Sequence, residues 1–290
     1  MRPFDYLAPK SLPEALQIMA SRPKALPLAG GTDLLVQMKE GGRLVESLVS
    51  LKRIPEVHQL MQNGNLILGA AVTAGQIAAS GRIRADYTAL AHGAGLIGSV
   101  QIRNMATVGG NLCNAAPSAD TAPPLLVLDA QVVIASTQGE RTVPLEEFWL
   151  GPGQTVLQPG ELLKEVIVPY PLPRSGSFYL RHTPRAWMDI AVVGVAASVT
   201  LAADDTIVEA RLALGAVAST PIRAKAAEAL LVGQILTDEM LQAVGTAAAQ
   251  EAKPIDDLRA SAEYRQHLVK VLTQRALHGA VARAKNSKGA

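Results

Sequence analysis

Cysteine is almost missing from this chain: Cys113 is the only one in 290 residues. That excludes an intrachain disulfide framework, and it excludes an iron–sulfur cluster ligated from within, which takes about four thiolates. Redox work, if the chain does any, therefore needs an organic cofactor. Aromatic residues are nearly as scarce, at 3%, so stacking platforms for bases or sugars are few and the core has to come from close-packed Ala, Val and Leu. No run of five like charges occurs and the formal net charge is +2, which leaves no basic stripe for nucleic acid. Long apolar runs are missing too: Pro123, Pro124 and Asp129 break the longest one, short of the ~18 residues a membrane span takes. The start, MRPFDYLAPK, has no apolar leader core, so a soluble, cytoplasmic chain is expected. The histidines, at positions 58, 92, 182, 267 and 278, show no metal-ligand spacing, and no metal is expected.

What is present is a 49% hydrophobic chain, long enough for two packed domains. Ser11 and Glu14 read as a capping box opening a helix with Ala15, Leu16, Ile18 and Met19 on its apolar face. The stretch Lys24 to Leu28 reads as a strand ending at Gly30-Gly31, after which Thr32 and Asp33 can cap a helix bearing Leu34, Leu35 and Met38. Further strands are expected at Ser47 to Leu51 and Leu66 to Gly69, and Thr73 with Gln76 makes a second capping box. From Gln131 to Ser136 and Leu162 to Val168 the residues favour antiparallel strands. Pro169, Pro171 and Pro173 at alternate positions remove backbone donors and hold their predecessors extended. The domain boundary is placed there, giving domains 1–173 and 174–290. Beyond it, Phe178 to Arg181, Ile190 to Leu201 and Ile207 to Leu214 read as three strands, followed by helices from Pro221, Asp238 and Glu263.

Two glycine loops carry the chemistry. Ala29-Gly30-Gly31-Thr32-Asp33-Leu34 follows a strand and opens a helix, so its backbone N–H groups can face a diphosphate. By itself it also reads as a plain Gly-Gly turn. Thr107-Val108-Gly109-Gly110-Asn111 repeats the pattern, with a hydroxyl and an amide flanking two glycines, and two such loops suit the two phosphates of a dinucleotide. Between them, His92 to Gly98 contains G-x-G-x-x-G with Asp120 further on. A nicotinamide-binding turn needs a strand before it, whereas Asp86 to His92 is helical in character, so these glycines are read as helix-packing positions. Pro117-Ser118-Ala119-Asp120 offers a hydroxyl and a carboxylate for ribityl or ribose hydroxyls, or is a turn ahead of a helix at Leu125 to Leu128. Arg103 and Asn104 are phosphate or partner contacts, or solvated surface, and Cys113 reads as a buried small hydrophobe. A Ser118, Asp120, His182 hydrolase triad is set aside for want of a G-x-S-x-G elbow.

These residues resemble the FAD-binding (medium) subunits of the xanthine dehydrogenase and carbon monoxide dehydrogenase family of molybdenum hydroxylases. The matching stretches are AGGTDLL from Ala29, QIRNMATVGGNLCNAAPSAD from Gln101, ELLKEVIVP from Glu161, MDIAVVGVAA from Met188 and SAEYRQHLVKVLTQRAL from Ser261. The likeness runs along essentially the whole chain and is strongest to bacterial xanthine-dehydrogenase-type subunits. It implies an α+β fold: a vanillyl-alcohol-oxidase (PCMH) type FAD-binding domain of two subdomains, then a C-terminal three-stranded antiparallel sheet with helices. It further implies that Ala29, Gly30, Gly31, Thr32, Asp33, Leu34, Leu35 and Val36, with Thr107, Val108, Gly109, Gly110 and Asn111, bind the FAD diphosphate. Ser118 and Asp120 would serve its ribose or ribityl region, Leu163 would lie near flavin or adenine, and Arg181 falls where some relatives carry a lysine near the flavin. No residue of the chain is expected to be catalytic toward substrate. Partners implied are a molybdopterin large subunit and a [2Fe–2S] small subunit in a dimer of heterotrimers, with NAD+, a quinone or oxygen as acceptor. Relatives that reduce aryl-CoA thioesters insert a cysteine-rich loop after the second glycine loop; here Asn111 runs to Asp120 without one. The competing readings are a stand-alone flavin oxidase, which would need acid or base groups that the C-terminal half does not present, and a flavin-free scaffold subunit.

Overall fold

The computed structural model describes residues 2–186 and 188–287. In chain order its elements are β1 (Asp5–Leu7), α1 (Leu12–Ser21), β2 (Ala25–Leu28), α2 (Leu34–Lys39), β3 (Ser47–Ser50), β4 (Leu60–Asn63), β5 (Asn65–Gly69), α3 (Ala74–Ala79), α4 (Gly81–Asp86), α5 (Thr88–Leu96), α6 (Val100–Arg103), α7 (Val108–Cys113) and α8 (Ala122–Val127). There follow β6 (Gln131–Ser136), β7 (Gly139–Pro144), β8 (Trp149–Gly151), β9 (Gln154–Thr155), β10 (Leu162–Val168), β11 (Ser175–His182), β12 (Val193–Leu201), β13 (Ile207–Gly215), β14 (Ile222–Arg223), α9 (Lys225–Ala229), α10 (Asp238–Glu251) and α11 (Ala262–Asn286). The fold is α+β, as the resemblance implies. Two compact units share the chain. One comprises Met1–Gln76, Val100–Ala115 and Ala130–Pro169, and the other Ile77–Ser99, Ala116–Asp129 and Tyr170–Ala290.

The first unit holds two main sheets. In the smaller, β3 runs parallel between β1 and β2. All four of its residues are buried, as a strand covered on both faces requires. Helix α1 packs there through Leu12, Ala15, Leu16 and Met19, spaced as one helical face. Its capping box is displaced by one residue: Ser11 Oγ accepts from Glu14 N–H, but the Glu14 carboxylate accepts from Lys10 N–H at 2.8 Å. The box at Thr73 and Gln76 is reciprocal, with bonds of 2.8 and 3.2 Å. The larger sheet is antiparallel in the order β4-β5-β10-β6-β7. Its edge strand β7 is exposed along most of its length. It is studded with charge: Arg141 grips Glu161 through two bonds of 2.9 and 2.8 Å, and Glu140 pairs with Lys164. That is how natural sheets protect an open edge.

The second unit centres on β12, nine residues of which eight are buried, paired on either side with β11 and β13. The expected three-stranded sheet gains a fourth, two-residue strand, β14, so the helix expected from Pro221 begins only at Lys225. The reason is a pairing of Ile222 and Arg223 with β13 that no local pattern announces. Helix α11 lies against this sheet through Leu268, Leu272, Ala276 and Ala280 among others. Its approach is close because the contact positions are small. A Cβ on Gly176 would stand 2.2 Å from Ala280 O, and one on Gly279 would stand 2.7 Å from the Phe178 ring. The aromatic-poor composition is realised as backbone-to-backbone packing.

Candidate functional site

The two glycine loops lie in the first unit, and they adjoin. Strand β2 delivers the chain to Gly30, where an added Cβ would stand 1.9 Å from Met105 O and 3.1 Å from Ala106 Cα. The first loop is therefore seated on the main chain that leads into the second. Gly31 has φ +73°, a left-handed geometry that glycine adopts without a Cβ clash. The first hydrogen bond of α2 runs from Leu35 N–H to Gly31 O at 3.1 Å. The N–H groups of Gly31, Thr32 and Asp33 have no acceptor among the described residues, as the open end of a helix provides. Asp33, the N-cap, makes no side-chain capping bond, contrary to the capping role expected for it. Val36 is exposed, and Ala29, Gly30, Thr32, Leu34 and Leu35 are half-buried.

The second loop is built differently. Val108 N–H goes to Val72 O, Gly109 N–H to Ala70 O and Asn111 N–H to Thr107 O, each at 2.9 Å. Gly110 N–H is taken at 3.0 Å by the Thr107 hydroxyl, the N-cap of α7. This loop keeps its backbone donors for itself. Gly109 is buried, and a Cβ there would stand 2.6 Å from Ala70 Cβ, whereas Gly110 is exposed and its Cβ would meet only Thr107 Oγ1, at 3.0 Å. The far end of α7 is fixed by Trp149, whose indole N–H donates to Leu112 O at 3.0 Å. Cys113 beside it is half-buried, and burial of its sulfur pushes the thiol up to about 12, so it stays protonated and unreactive at neutral pH. Leu163, in β10, is buried opposite Ile134 next to a β-bulge.

Ser118, Asp120 and Arg181 belong to the second unit, where two of the three meet. Asp120 is buried, and its carboxylate accepts from the Tyr179 hydroxyl at 2.8 Å and from the Arg181 guanidinium. The Arg181 and Asp120 side chains are 5% and 9% exposed. Burial pushes the Asp120 carboxyl up to about 6, with Arg181 and Tyr179 holding it back from going further. Ser118 is half-buried on the turn whose Pro117 O accepts from Ala216 N–H at 2.7 Å. Tyr179 escaped the sequence reading. Its signal was its place two residues before Arg181 on one strand, which turns both side chains to the same face. Gly194, on the neighbouring strand, makes room for it: a Cβ there would stand 2.5 Å from the Tyr179 hydroxyl. The G-x-G-x-x-G segment begins inside the continuous helix α5, and a Cβ on Gly93 would stand 2.3 Å from Asp120 O. Gly93 is a packing glycine, as expected, whereas Gly95 meets only Ala78 Cβ, at 3.9 Å, and Gly98 turns at φ +44° beyond the helix.

The chemistry of this donor set fits a dinucleotide. One loop offers three N–H groups unpaired among the described residues, and the adjoining loop offers a hydroxyl and an exposed glycine whose only close neighbour is that hydroxyl. Comparison with known proteins agrees. Residues 2–171 match the family model for the FAD binding domain in molybdopterin dehydrogenase, and residues 178–280 match that for the CO dehydrogenase flavoprotein C-terminal domain. A xanthine dehydrogenase FAD-binding subunit from Escherichia coli O157:H7 is 36% identical, with 97% of each chain covered. The carbon monoxide dehydrogenase medium chain of Hydrogenophaga pseudoflava is 33% identical, over 97% of this chain and 98% of that one. A solved structure of carbon monoxide dehydrogenase from the same organism superposes with a TM-score of 0.93 at 34% identity, covering 98% of this chain and 99% of the other. With both family models in sequence along it and relatives matched nearly end to end, this chain belongs to the FAD-binding medium subunits of the molybdopterin dehydrogenases.

Proposed function

We propose that the chain is the flavin-carrying electron relay of a heteromeric molybdenum hydroxylase, with the FAD diphosphate held where the two glycine loops adjoin. The observation that carries this reading is the contrast at the loops: free N–H groups at Gly31, Thr32 and Asp33 beside an exposed Gly110. When bound, FAD supplies a two-electron store between one-electron donors and a two-electron acceptor. The chain's own part is to bind, orient and seclude. Gly31 to Asp33 donate to phosphate oxygens through the main chain, joined by Ala29, Gly30, Leu34, Leu35 and Val36 around them. Thr107, which already accepts from Gly110 N–H, keeps its own proton to donate, and Asn111 contributes an amide. Gly110 supplies an exposed backbone that the phosphates can approach, and Val108 and Gly109 seat it on the framework behind. In the same reading Leu163 lies near flavin or adenine, Ser118 and Asp120 serve the ribityl or ribose hydroxyls, and Arg181 acts near the flavin.

The FAD domain is taken as residues 1–173 and the C-terminal domain as 174–290. Electrons arrive from a [2Fe–2S] subunit, substrate is hydroxylated on a molybdopterin subunit, and NAD+ is the favoured acceptor. The assembly is a cytoplasmic dimer of heterotrimers whose substrate is a purine, an N-heterocycle or a related small molecule. Among the described residues no helix is long and apolar enough to cross a membrane.

Two measurements test this. Gly110→Val, which meets only the Thr107 hydroxyl within the protein, leaves the apoprotein folded and abolishes FAD retention; full flavin occupancy in that variant refutes the site. Purified with its partner subunits, the chain's flavin absorbance bleaches on adding a purine or an N-heterocycle, and unchanged absorbance with every such substrate counts against the relay.

A further inference from the structure

We infer that Gln37 and Asn114 form an amide clasp that sets the spacing of the two glycine loops, making both of them positioning residues for FAD; this rests on the loop assignment above. Gln37 Nε2 donates to Asn114 Oδ1 at 3.0 Å across 77 positions of sequence, in a partly buried setting. Neither residue lies in a glycine loop, yet each is wired to one. On the first side, Gln37 N–H donates to Asp33 O at 2.9 Å and Leu35 N–H to Gly31 O at 3.1 Å. A shift of Gln37 therefore carries the three free donors with it. On the second side, Asn114 N–H donates to Gly110 O at 3.0 Å, and Gly110 N–H donates to the Thr107 hydroxyl at 3.0 Å. A shift of Asn114 therefore carries the exposed glycine and the hydroxyl.

The loops already touch at one point, Gly30 against Met105 O. Helix α2 is also held on the smaller sheet through Met38, packed with Val45, Leu48, Leu34 and Leu35, but that packing does not reach the second loop. The clasp is a second, separate tie, from the second turn of α2 to the residue closing α7. The clasp adds a second point at which the spacing of the two loops is set, and with it the gap into which two phosphates must fit. Preorganisation of this kind acts on ligand affinity by removing the ordering cost of binding.

The test uses the full chain, stripped of flavin and titrated with FAD. Gln37→Ala and Asn114→Ala each weaken FAD binding about tenfold, as loss of one positioning hydrogen bond would. The double alanine variant is no weaker than either single, because both remove the same bond. The swapped pair, Gln37→Asn with Asn114→Gln, keeps the combined reach of the two amides and restores affinity to within about threefold of wild type. A merely structural bond would instead lower the melting temperature of apoprotein and holoprotein equally and leave the dissociation constant alone; here the gap between the two melting temperatures narrows. Single variants that bind FAD within twofold of wild type, or strictly additive losses in the double variant, overturn the clasp. Gly110→Val is measured in parallel. If it loses FAD while the alanine variants retain it, the clasp alone falls. If it binds FAD normally, the loop assignment falls and the clasp with it.

Discussion

The two Gly-Gly loops are near copies in sequence and opposites in wiring. In the second pair one glycine faces the protein and one faces out, Gly109 against Ala70 and Gly110 exposed; in the first, Gly30 is seated on Met105 O and the half-buried Gly31 turns through a left-handed φ. Their backbone donors divide the other way. The first loop leaves Gly31, Thr32 and Asp33 unpaired, and the second spends Val108 to Asn111 on its own framework. The difference teaches that a Gly-Gly pair next to a helix is not one device. Half of the glycines here exist so that main chains can touch, which a flavin-free scaffold would need as much as a flavoprotein does. What points to a ligand is the set of free N–H groups at Gly31, Thr32 and Asp33 together with the exposed Gly110.

The comparison breaks first at Gly30. Gly30→Ala puts a methyl group 1.9 Å from a carbonyl oxygen that only backbone movement can relieve, so we expect a loss above ~3 kcal/mol. Thermal unfolding should show a drop of about 10 °C, and a variant melting with the wild type would show that this glycine faces ligand after all. Next in size is Asp120, whose carboxylate, like the Gly109 N–H, is engaged within its own unit. Its folded pKa of about 6 lies above the ~3.9 of an unfolded aspartate. Folding therefore takes up a proton between these values, so the Asp120 contribution is fully present below pH 4 and is lost as pH rises through 6. Unfolding free energies of wild type relative to Asp120→Asn should fall by about 3 kcal/mol between pH 4 and 7. A difference that grows with pH would mean that the Arg181 pairing outweighs burial.

Thr107 separates the two loops' ways of donating. Thr107→Val removes the cap on Gly110 N–H, at a cost of about 1 kcal/mol, and with it the second loop's hydroxyl. FAD affinity should fall about tenfold, with Thr107→Ser recovering most of both. Titration showing unaltered affinity in the valine variant would leave the second loop with no donor but Asn111. The smallest effect is at Gly31, where Gly31→Ala forces a side chain into φ +73° for about 1 kcal/mol. Its nearest neighbours are flexible leucine methyls, so chemical denaturation should show a modest, cooperative loss.

Much of this was legible where the physics is local. The capping box at Thr73 and Gln76 and the helix phase of α1 follow from patterns of four to eight residues. β1 was not legible, because Asp5–Leu7 is largely exposed, without apolar alternation, and is a strand only through its parallel register with Ser47–Val49. The same holds for β14. At the candidate site, Asp120 and Arg181 were both singled out, yet their ion pair and its third member, Tyr179, depend on a contact about sixty residues long. The Asp33 cap was read from residue type, and the backbone there takes helical angles that leave the side chain out of the cap.

By itself the sequence determined that redox work here must use an organic cofactor, since one cysteine ligates no cluster, and that the first glycine turn would join a strand to a helix. Tertiary structure alone decided which glycines are seated on neighbouring main chain, which N–H groups stay unpaired, and which carboxylate is buried against which cation. The reason is range: glycine permits a close approach without specifying what approaches, and only the packed chain supplies the second surface.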